Sequence, residues 1–352
     1  MSDAMTLFSQ TLEQLRLAAV NVPGLTDLAD APFLFRPLVM VVLLGVVAGV
    51  IGVIVNLRSA EFSAEAMVHA VFPGIVAGAV YWGIDAIIPA ASVVAVAAAV
   101  VLTIVSHRSH RGEASEAGTA VVLTSFFSIG LILSLAKGDM SGQLEALMFG
   151  RLLEVTDARL AQALIVCAVA LLLIVATWKE QVAYAFDRTG ARASGLRLLM
   201  LDLVLNTAIA AAVVSASTAV GILLVIGYLV IPGTTARILA SRVRTMVLVA
   251  IAVGVGGGYL GMLLMALPET LDKPISPQAT VALVMTGILL LAVCVAAVRE
   301  RLRRPARRAR SAQPATAVST STTASADGTV DRAGGPEGAA SAVAPMAEGG
   351  RA

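Results

Sequence analysis

Residues 37–57 read PLVMVVLLGVVAGVIGVIVNL, a continuous apolar run that contains no acidic or basic side chain. A helix needs about 20 mostly apolar residues to cross the hydrocarbon core of a bilayer, and this run is long enough. Further apolar runs of similar length follow at residues 64–83, 86–105, 117–136, 158–177, 198–216, 219–236, 246–267 and 279–298. The sequence therefore predicts an all-α polytopic membrane protein with about nine transmembrane helices.

The composition supports this class and excludes others. Of the 352 residues, 58% are hydrophobic and only 14% are charged, whereas about a quarter of the residues of a soluble domain are charged. The net charge of +2 provides no strongly basic surface, so we expect no nucleic-acid partner. The chain contains no GxxxxGK[ST] segment and therefore no P-loop with which to hydrolyse a nucleotide.

Composition also divides the chain into three predicted segments. In residues 1–35, an apolar stripe predicts an amphipathic helix on the membrane surface over residues 5–20, although a loosely ordered leader fits equally well. Residues 36–300 form the predicted transmembrane domain. Residues 301–352 begin with an arginine-rich collar and continue as an Ala-, Ser-, Thr-, Gly- and Pro-rich tail, for which we expect disorder.

Arginine and lysine also predict the orientation of the helices. Cytoplasmic loops of membrane proteins carry an excess of these residues, so the arginine-rich collar places the C-terminus in the cytoplasm. With nine spans the N-terminus then lies outside. The loop at residues 183–197 faces the cytoplasm, and residues 215–218 (SAST) are expected to form a tight turn between two spans.

Glu65 and His69 are the clearest ionisable pair within a predicted span. Their i, i+4 spacing places both on one helical face, and ionisable side chains in a membrane are costly and commonly functional. A carboxylate oxygen and an imidazole nitrogen suit zinc or manganese, and a twofold-related copy would raise two ligands to four. In the alternative, Glu65 lies at the headgroup level and His69 bonds a neighbouring helix.

Prolines and one further acidic residue mark other positions in the predicted spans. Proline removes a helix hydrogen bond, so we expect helix breaks at Pro73–Gly74, directly after His69, and at Pro232. Transporters often place ion sites at interrupted helices. Asp202 lies about one turn inside its helix and is expected to reach the membrane surface or to pair with Arg197. His107 is expected to be solvated.

Four segments resemble the ABC-transporter permease family for zinc, manganese and iron uptake, and the resemblance covers roughly residues 35–300. The segments are EAMVHAVFPG at 65–74, LMFG at 147–150, FDRTGARASG at 186–195, and VGILLV with LVIP and AR within 220–237. The family's first segment is usually written D-A-L-S-H-A-x-L-P-G. Glu65 therefore replaces an aspartate and is one methylene longer, and Val68 replaces a serine.

This resemblance implies a membrane-spanning permease subunit of an ATP-driven metal importer in a bacterial plasma membrane. Zinc is the first expected substrate, with manganese or iron as alternatives, and no cofactor is expected to be bound stably. The permease would work as a homodimer or with a paralogue, with a separate ATP-hydrolysing subunit and an extracytoplasmic metal-binding protein. Glu65 and His69 would line the ion path.

The resemblance also implies contact with the ATPase in the loop at residues 183–197. Apolar side chains there are expected to seat in a groove of the partner, and charged ones to lie at its rim. The apolar residues are Tyr184, Phe186 and Leu196. The charged residues are Asp187, Arg188, Arg192 and Arg197, and Gly195 completes the motif. An ordinary solvated loop is the alternative for this segment. For the whole chain the alternative is a self-sufficient, ion-coupled secondary transporter of a cation, which needs no ATPase.

Overall fold

The computed structural model describes residues 2–108, 112–136, 150, 152–266 and 276–311. The chain divides into two compact units, residues 1–302 and 303–352, and the architecture below is that of the first. The predicted disorder of the tail beyond residue 311 and most of the LMFG segment lie outside the described residues.

Every regular element in these ranges is a helix. The α-helices are α1 (Ser2–Val20), α2 (Thr26–Ala29), α3 (Pro32–Leu57), α4 (Glu61–Ala70), α5 (Phe72–Ala77), α6 (Ile87–Arg108), α7 (Gly112–Leu135), α8 (Asp157–Ala176), α9 (Trp178–Phe186), α10 (Arg188–Ala193), α11 (Leu198–Val220), α12 (Ile222–Leu239), α13 (Val243–Ala266) and α14 (Pro277–Ser311). Helices α4 and α5 continue into a π-helix at Gly78–Trp82, and residues 61–82 are called the split helix below.

Among the described residues, eight helices are long and apolar enough to cross a membrane. They are α3, the split helix, α6, α7, α8, α11, α13 and α14, while α12 contains a shorter apolar helix. Each coincides with one of the predicted spans, which confirms the all-α polytopic class. The agreement follows from physics, because a bilayer leaves no alternative partner for the backbone of an apolar segment of this length.

The turn between α11 and α12 lies at Gly221, so the prediction of a turn at residues 215–218 is wrong. Ser215 and Ser217 donate their hydroxyls to helix carbonyls, Ala211 at 2.9 Å and Val214 at 2.9 Å, and α11 continues to Val220. Gly221 has a φ of +82°, which favours glycine. Gly150 lies against this turn, and a Cβ on Gly150 would collide with the Gly221 nitrogen.

The two predicted proline breaks differ in the structure. Helix α4 ends at Ala70 and α5 begins at Phe72, with Pro73 in its first turn, where a missing N–H costs no helix bond. Pro232 instead lies inside the continuous helix α12, so the predicted break there is wrong. Helix α12 packs against both α3 and α13, and such neighbours allow a proline to remain within a membrane helix.

Helix α3 is the central element of the bundle and is buried along most of its length. It packs against α13, α12, α8 and α11. Gly45 and Gly49 lie directly against the backbone of α13, and Gly52 lies against that of α12. Small residues allow membrane helices to approach this closely.

Polar contacts mark the two ends of the bundle. At one end, here called the Arg36 side, Arg36 Nε lies 2.5 Å from Asp157 Oδ1, and Ser9 of α1 donates to Asp157 Oδ2 at 2.9 Å. The other end, here called the Arg58 side, holds the turn after α3, the C-terminus of α6, helices α9 and α10, and the start of α11. Helix α1 buries Leu12 and exposes Leu7 at the Arg36 side.

Candidate functional site

Glu65 and His69 lie on the open face of α4. Phe62, near the start of this helix, is also 38% exposed. The side chains that pack into the bundle are Ala64, Ala66, Met67, Val68 and Ala70. Glu65 is exposed and His69 is half-buried. The structure thus places the predicted pair on one face, one turn apart, with Pro73 and Gly74 buried just beyond it in α5.

Aromatic side chains hold the imidazole of His69. The ring of Phe127, on α7, meets it edge-on with centroids 5.3 Å apart, and Phe127 stacks on Phe72 at 5.1 Å. His69 Nδ1 is buried and has no hydrogen-bond partner among the described residues. The alternative in which this nitrogen bonds a neighbouring helix is therefore not observed among the described residues.

The described residues of one chain do not form a complete metal site. No group of three or more His, Cys, Asp and Glu side chains that could hold a metal ion is present in the part of the chain that the structure describes. Glu65 and His69 provide two ligands of the type that manganese, iron and zinc accept. The described residues supply no third ligand for an ion at this face.

The loop at residues 183–197 forms most of a short helix pair, α9 and α10. The Asp187 carboxylate accepts a hydrogen bond from Gly190 N at 2.8 Å and caps α10, and Gly195, with a φ of +81°, follows the helix. Phe186 is 71% exposed whereas Tyr184 is only 8% exposed. The charged side chains predicted at the rim are all exposed, and they are Asp187, Arg188, Arg192 and Arg197.

Tyr184 therefore faces the transmembrane helices rather than the surface. It packs with Ala191, Leu198 and Leu201, and Leu196 lies against the same cluster. Burial raises the pKa of the Tyr184 phenol, and the nearby Asp202 carboxylate adds to this effect. Of the three apolar side chains predicted to seat in a partner, Phe186 is the one that the structure leaves open.

Arg58 is the residue that sequence reasoning missed. It caps the C-terminus of α3 and forms an ion pair with Asp202, the side chains being only 10% and 15% exposed. Its Nη1 also donates to Gln181 Oε1 at 2.7 Å, and its guanidinium lies 4.0 Å from the centroid of the Tyr184 ring. The available signal was an arginine and an aspartate placed at the same predicted membrane boundary.

Two expectations about this cluster need correction. Asp202 pairs with Arg58 and not with Arg197, which is exposed, because packing of α3 against α11 brings the distant arginine closer than the neighbouring one. His107 is not fully solvated. Its side chain is 31% exposed, and its Nδ1 lies 3.7 Å from Asp202 Oδ2.

The eight helices of the described residues that are long and apolar enough to cross a membrane define a multi-pass membrane protein. The chain belongs to the ABC 3 transport family, whose pattern matches residues 30–296. This match confirms the family that the four sequence segments predict.

Individual relatives agree with the family assignment. The chain is 32% identical over 239 residues to the manganese transport system membrane protein MntC of Listeria monocytogenes, covering 68% of this chain and 83% of that protein. It is 30% identical over 212 residues to the chelated iron transport system membrane protein YfeC of Yersinia pestis, covering 60% and 70%. The solved structure of PsaBC from Streptococcus pneumoniae in complex with Fab superposes with a TM-score of 0.65, at 25% identity over 76% of this chain and 94% of that chain.

Proposed function

We propose that this chain is the membrane-spanning permease subunit of an ATP-driven importer, and that a divalent metal ion passes Glu65 and His69 during import. One observation carries the proposal. A carboxylate and an imidazole remain accessible on one face of a helix in which five other side chains, from Ala64 to Ala70, are buried. Ionisable groups at such positions in membrane proteins mark ion pathways, and the family to which the chain belongs is a transport family.

Two copies of the chain complete the ion site in this proposal. Each copy offers two ligands from α4, so a twofold axis beside this helix would assemble two carboxylates and two imidazoles around one ion. His69 Nδ1 is buried, which leaves Nε2 as the nitrogen for the ion. A site shared between two subunits is opened when they move apart, and transport requires such release.

Manganese is the first metal to test. The relatives named above transport manganese or chelated iron by their names, and none of these is named for zinc, the first expectation from the sequence. Mixed oxygen and nitrogen ligands accept manganese, iron and zinc, so the ligands alone do not select among them. The longer reach of Glu65, compared with the aspartate of the resembled motif, changes the size of the site.

The two sides of the bundle take different partners in this proposal. The Arg58 side faces the cytoplasm, because the loops that meet there are richer in arginine and lysine. Helices α9 and α10 contact a separate ATP-binding subunit there, and the C-terminus is cytoplasmic. The Arg36 side receives metal from an extracytoplasmic binding protein.

Reconstitution in liposomes tests the function. The permease, the ATP-binding subunit and the loaded binding protein are combined, and uptake of labelled manganese, zinc and iron is followed with ATP and with a non-hydrolysable analogue. We expect ATP-dependent uptake of manganese, and one bound ion per two permease chains. Uptake by the permease alone under a proton or sodium gradient would establish an ion-coupled carrier instead.

Replacing Phe186 by alanine is expected to weaken assembly with the ATP-binding subunit. The exposed ring offers an aromatic anchor, and truncation of such an anchor commonly costs about 2 kcal/mol, which is roughly 30-fold in affinity. Binding of the purified subunit to the permease in nanodiscs, measured by interferometry, gives the value. Trp82→Ala is the matched control, since Trp82 is equally exposed at the far end of the split helix; an equal loss in both variants would contradict this prediction.

A further inference from the structure

We propose that Arg58 and Asp202 are positioning residues that hold α9 against the transmembrane helices and relay its displacement to the Glu65–His69 site. The proposal rests on the proposed function, since it assumes that a partner moves α9 and α10. It adds the residues through which that motion reaches the ion path. Unlike an ordinary surface ion pair, these two side chains are largely buried and join three helices.

A single side chain joins three elements at this point. Arg58 leaves the end of α3, pairs with Asp202 of α11, donates to Gln181 of α9 and covers the ring of Tyr184, also of α9. Gln181 is fully buried, and its amide donates to Leu201 O at 2.9 Å. Because nearly every polar contact between α9 and the bundle described here passes through these groups, α9 cannot move without displacing Arg58 or breaking its bonds.

Helix α9 presents Tyr184 and Phe186 to different surroundings. Phe186 is exposed at the surface that we assign to the partner, and Tyr184, two residues earlier, lies beneath the Arg58 guanidinium. Cation–π contact of this type is strengthened when both groups are withdrawn from water. A displacement of the surface around Phe186 is therefore transmitted to Arg58 through the short helix α9.

The turn that follows Arg58 leads directly to the ion site. Ser59 and Ala60 separate it from the start of α4, and Glu65 lies on the second turn of that helix. The turn is held by backbone bonds, Arg58 N to Ile54 O at 3.0 Å and Ala60 N to Val55 O at 2.9 Å. A short hydrogen-bonded turn passes a displacement on to α4, whereas a long loop would absorb it.

Helix α12 is attached to the same segment. Asn56 accepts a hydrogen bond from Arg237 Nη1 at its backbone carbonyl, at 2.7 Å, and from the Thr234 hydroxyl at its side chain, at 3.1 Å. Helix α12 packs against α4 as well as α3. The end of α3 thus connects α9, α11, α12 and α4, which is the set of helices that must rearrange together if the ion site opens toward the Arg58 side.

A buried ion pair is suited to this positioning role. Replacing such a pair by apolar side chains often leaves stability unchanged, so its presence is weak evidence for a stabilising function. Its strict geometry does define one arrangement of the elements that it joins. Loss of one partner leaves a buried charge that is unpaired, and this disturbs the arrangement without removing any side chain that touches the ion or the ATPase.

The test compares ATP hydrolysis with transport in the reconstituted complex. Asp202→Asn and Arg58→Gln are expected to retain assembly and ATP hydrolysis but to import about tenfold less manganese per ATP, a factor typical of coupling between distant sites. Arg58→Lys keeps the charge and is expected to recover part of the loss. Arg242→Gln removes an exposed arginine on the same side and is expected to match wild type.

The outcomes separate this proposal from the proposed function. A wild-type complex that fails to import manganese contradicts the proposed function and overturns the positioning role that rests on it. Wild-type import per ATP in Arg58→Gln overturns the positioning role. The positioning role is also overturned if all the variants, Arg58→Lys included, lose membrane insertion to the same extent. The ion pair is then purely structural. The double variant Arg58→Gln/Asp202→Asn is expected to import as much manganese per ATP as either single variant, because the two residues act through each other.

Discussion

Replacing His69 by alanine is expected to reduce manganese uptake by the reconstituted complex at least about a hundredfold, because residues that merely support a metal ligand already cost about 10–100-fold when changed. In a twofold-symmetric site the substitution removes two imidazoles at once. Only the Glu65 carboxylates remain, and carboxylates alone favour harder ions such as calcium and magnesium. Labelled manganese uptake at saturating binding protein gives the rate.

Glu65→Gln tests the second ligand with almost no change in size. The amide keeps one neutral oxygen but removes the negative charge that compensates the ion, so uptake is expected to fall to a similar extent. Glu116→Gln, at an exposed position on α7, is the matched control and should retain wild-type uptake. Normal uptake by a His69→Ala protein that inserts and assembles would move the ion path away from α4 and leave His69 with a packing role against Phe127.

The helices were predictable from the sequence because the membrane makes one property decisive. An apolar run of span length has to form a helix, so eight of the nine predicted spans appear among the described residues as helices long enough to cross a membrane. The ninth, predicted at residues 219–236, appears as α12 with a shorter apolar helix. The joint between α11 and α12 was not predictable in the same way. Both its serines and its glycine are compatible with a turn, and the outcome depends on the serine hydroxyls bonding to the preceding helical turn and on Gly150 approaching Gly221.

In the candidate site, too, the local features were predictable from the sequence and the long-range contacts were not. The i, i+4 spacing of Glu65 and His69 is local, so the sequence alone places both on one face. Contacts between distant parts of the chain carry no such local signal. Phe127 against His69, and Arg58 against Asp202, depend on how helices pack. The burial of Tyr184 beside the exposure of Phe186 likewise follows from the face that α9 turns toward the bundle.

Gly52→Val is expected to prevent stable folding of the permease. A Cβ at Gly52 would collide with the Leu229 carbonyl oxygen of α12, and one at Gly233 would collide with the Gly52 carbonyl. Overpacking a core costs about 1–3 kcal/mol where side chains can shift. The colliding atoms here are backbone atoms of two helices, so the cost is expected at or above the upper end of this range.

The stability of the Gly52→Val protein is measured by thermal unfolding in detergent, followed by tryptophan fluorescence. The amount of protein that reaches the membrane is measured beside it. Gly256→Val is the matched control, since no atom lies within 4 Å of a Cβ at that position of α13. It makes the same change in a neighbouring membrane helix and is expected to keep a melting temperature close to wild type. If both variants melt together with wild type, α3 and α12 do not make the close backbone contact that positions Asn56 and the turn at Arg58.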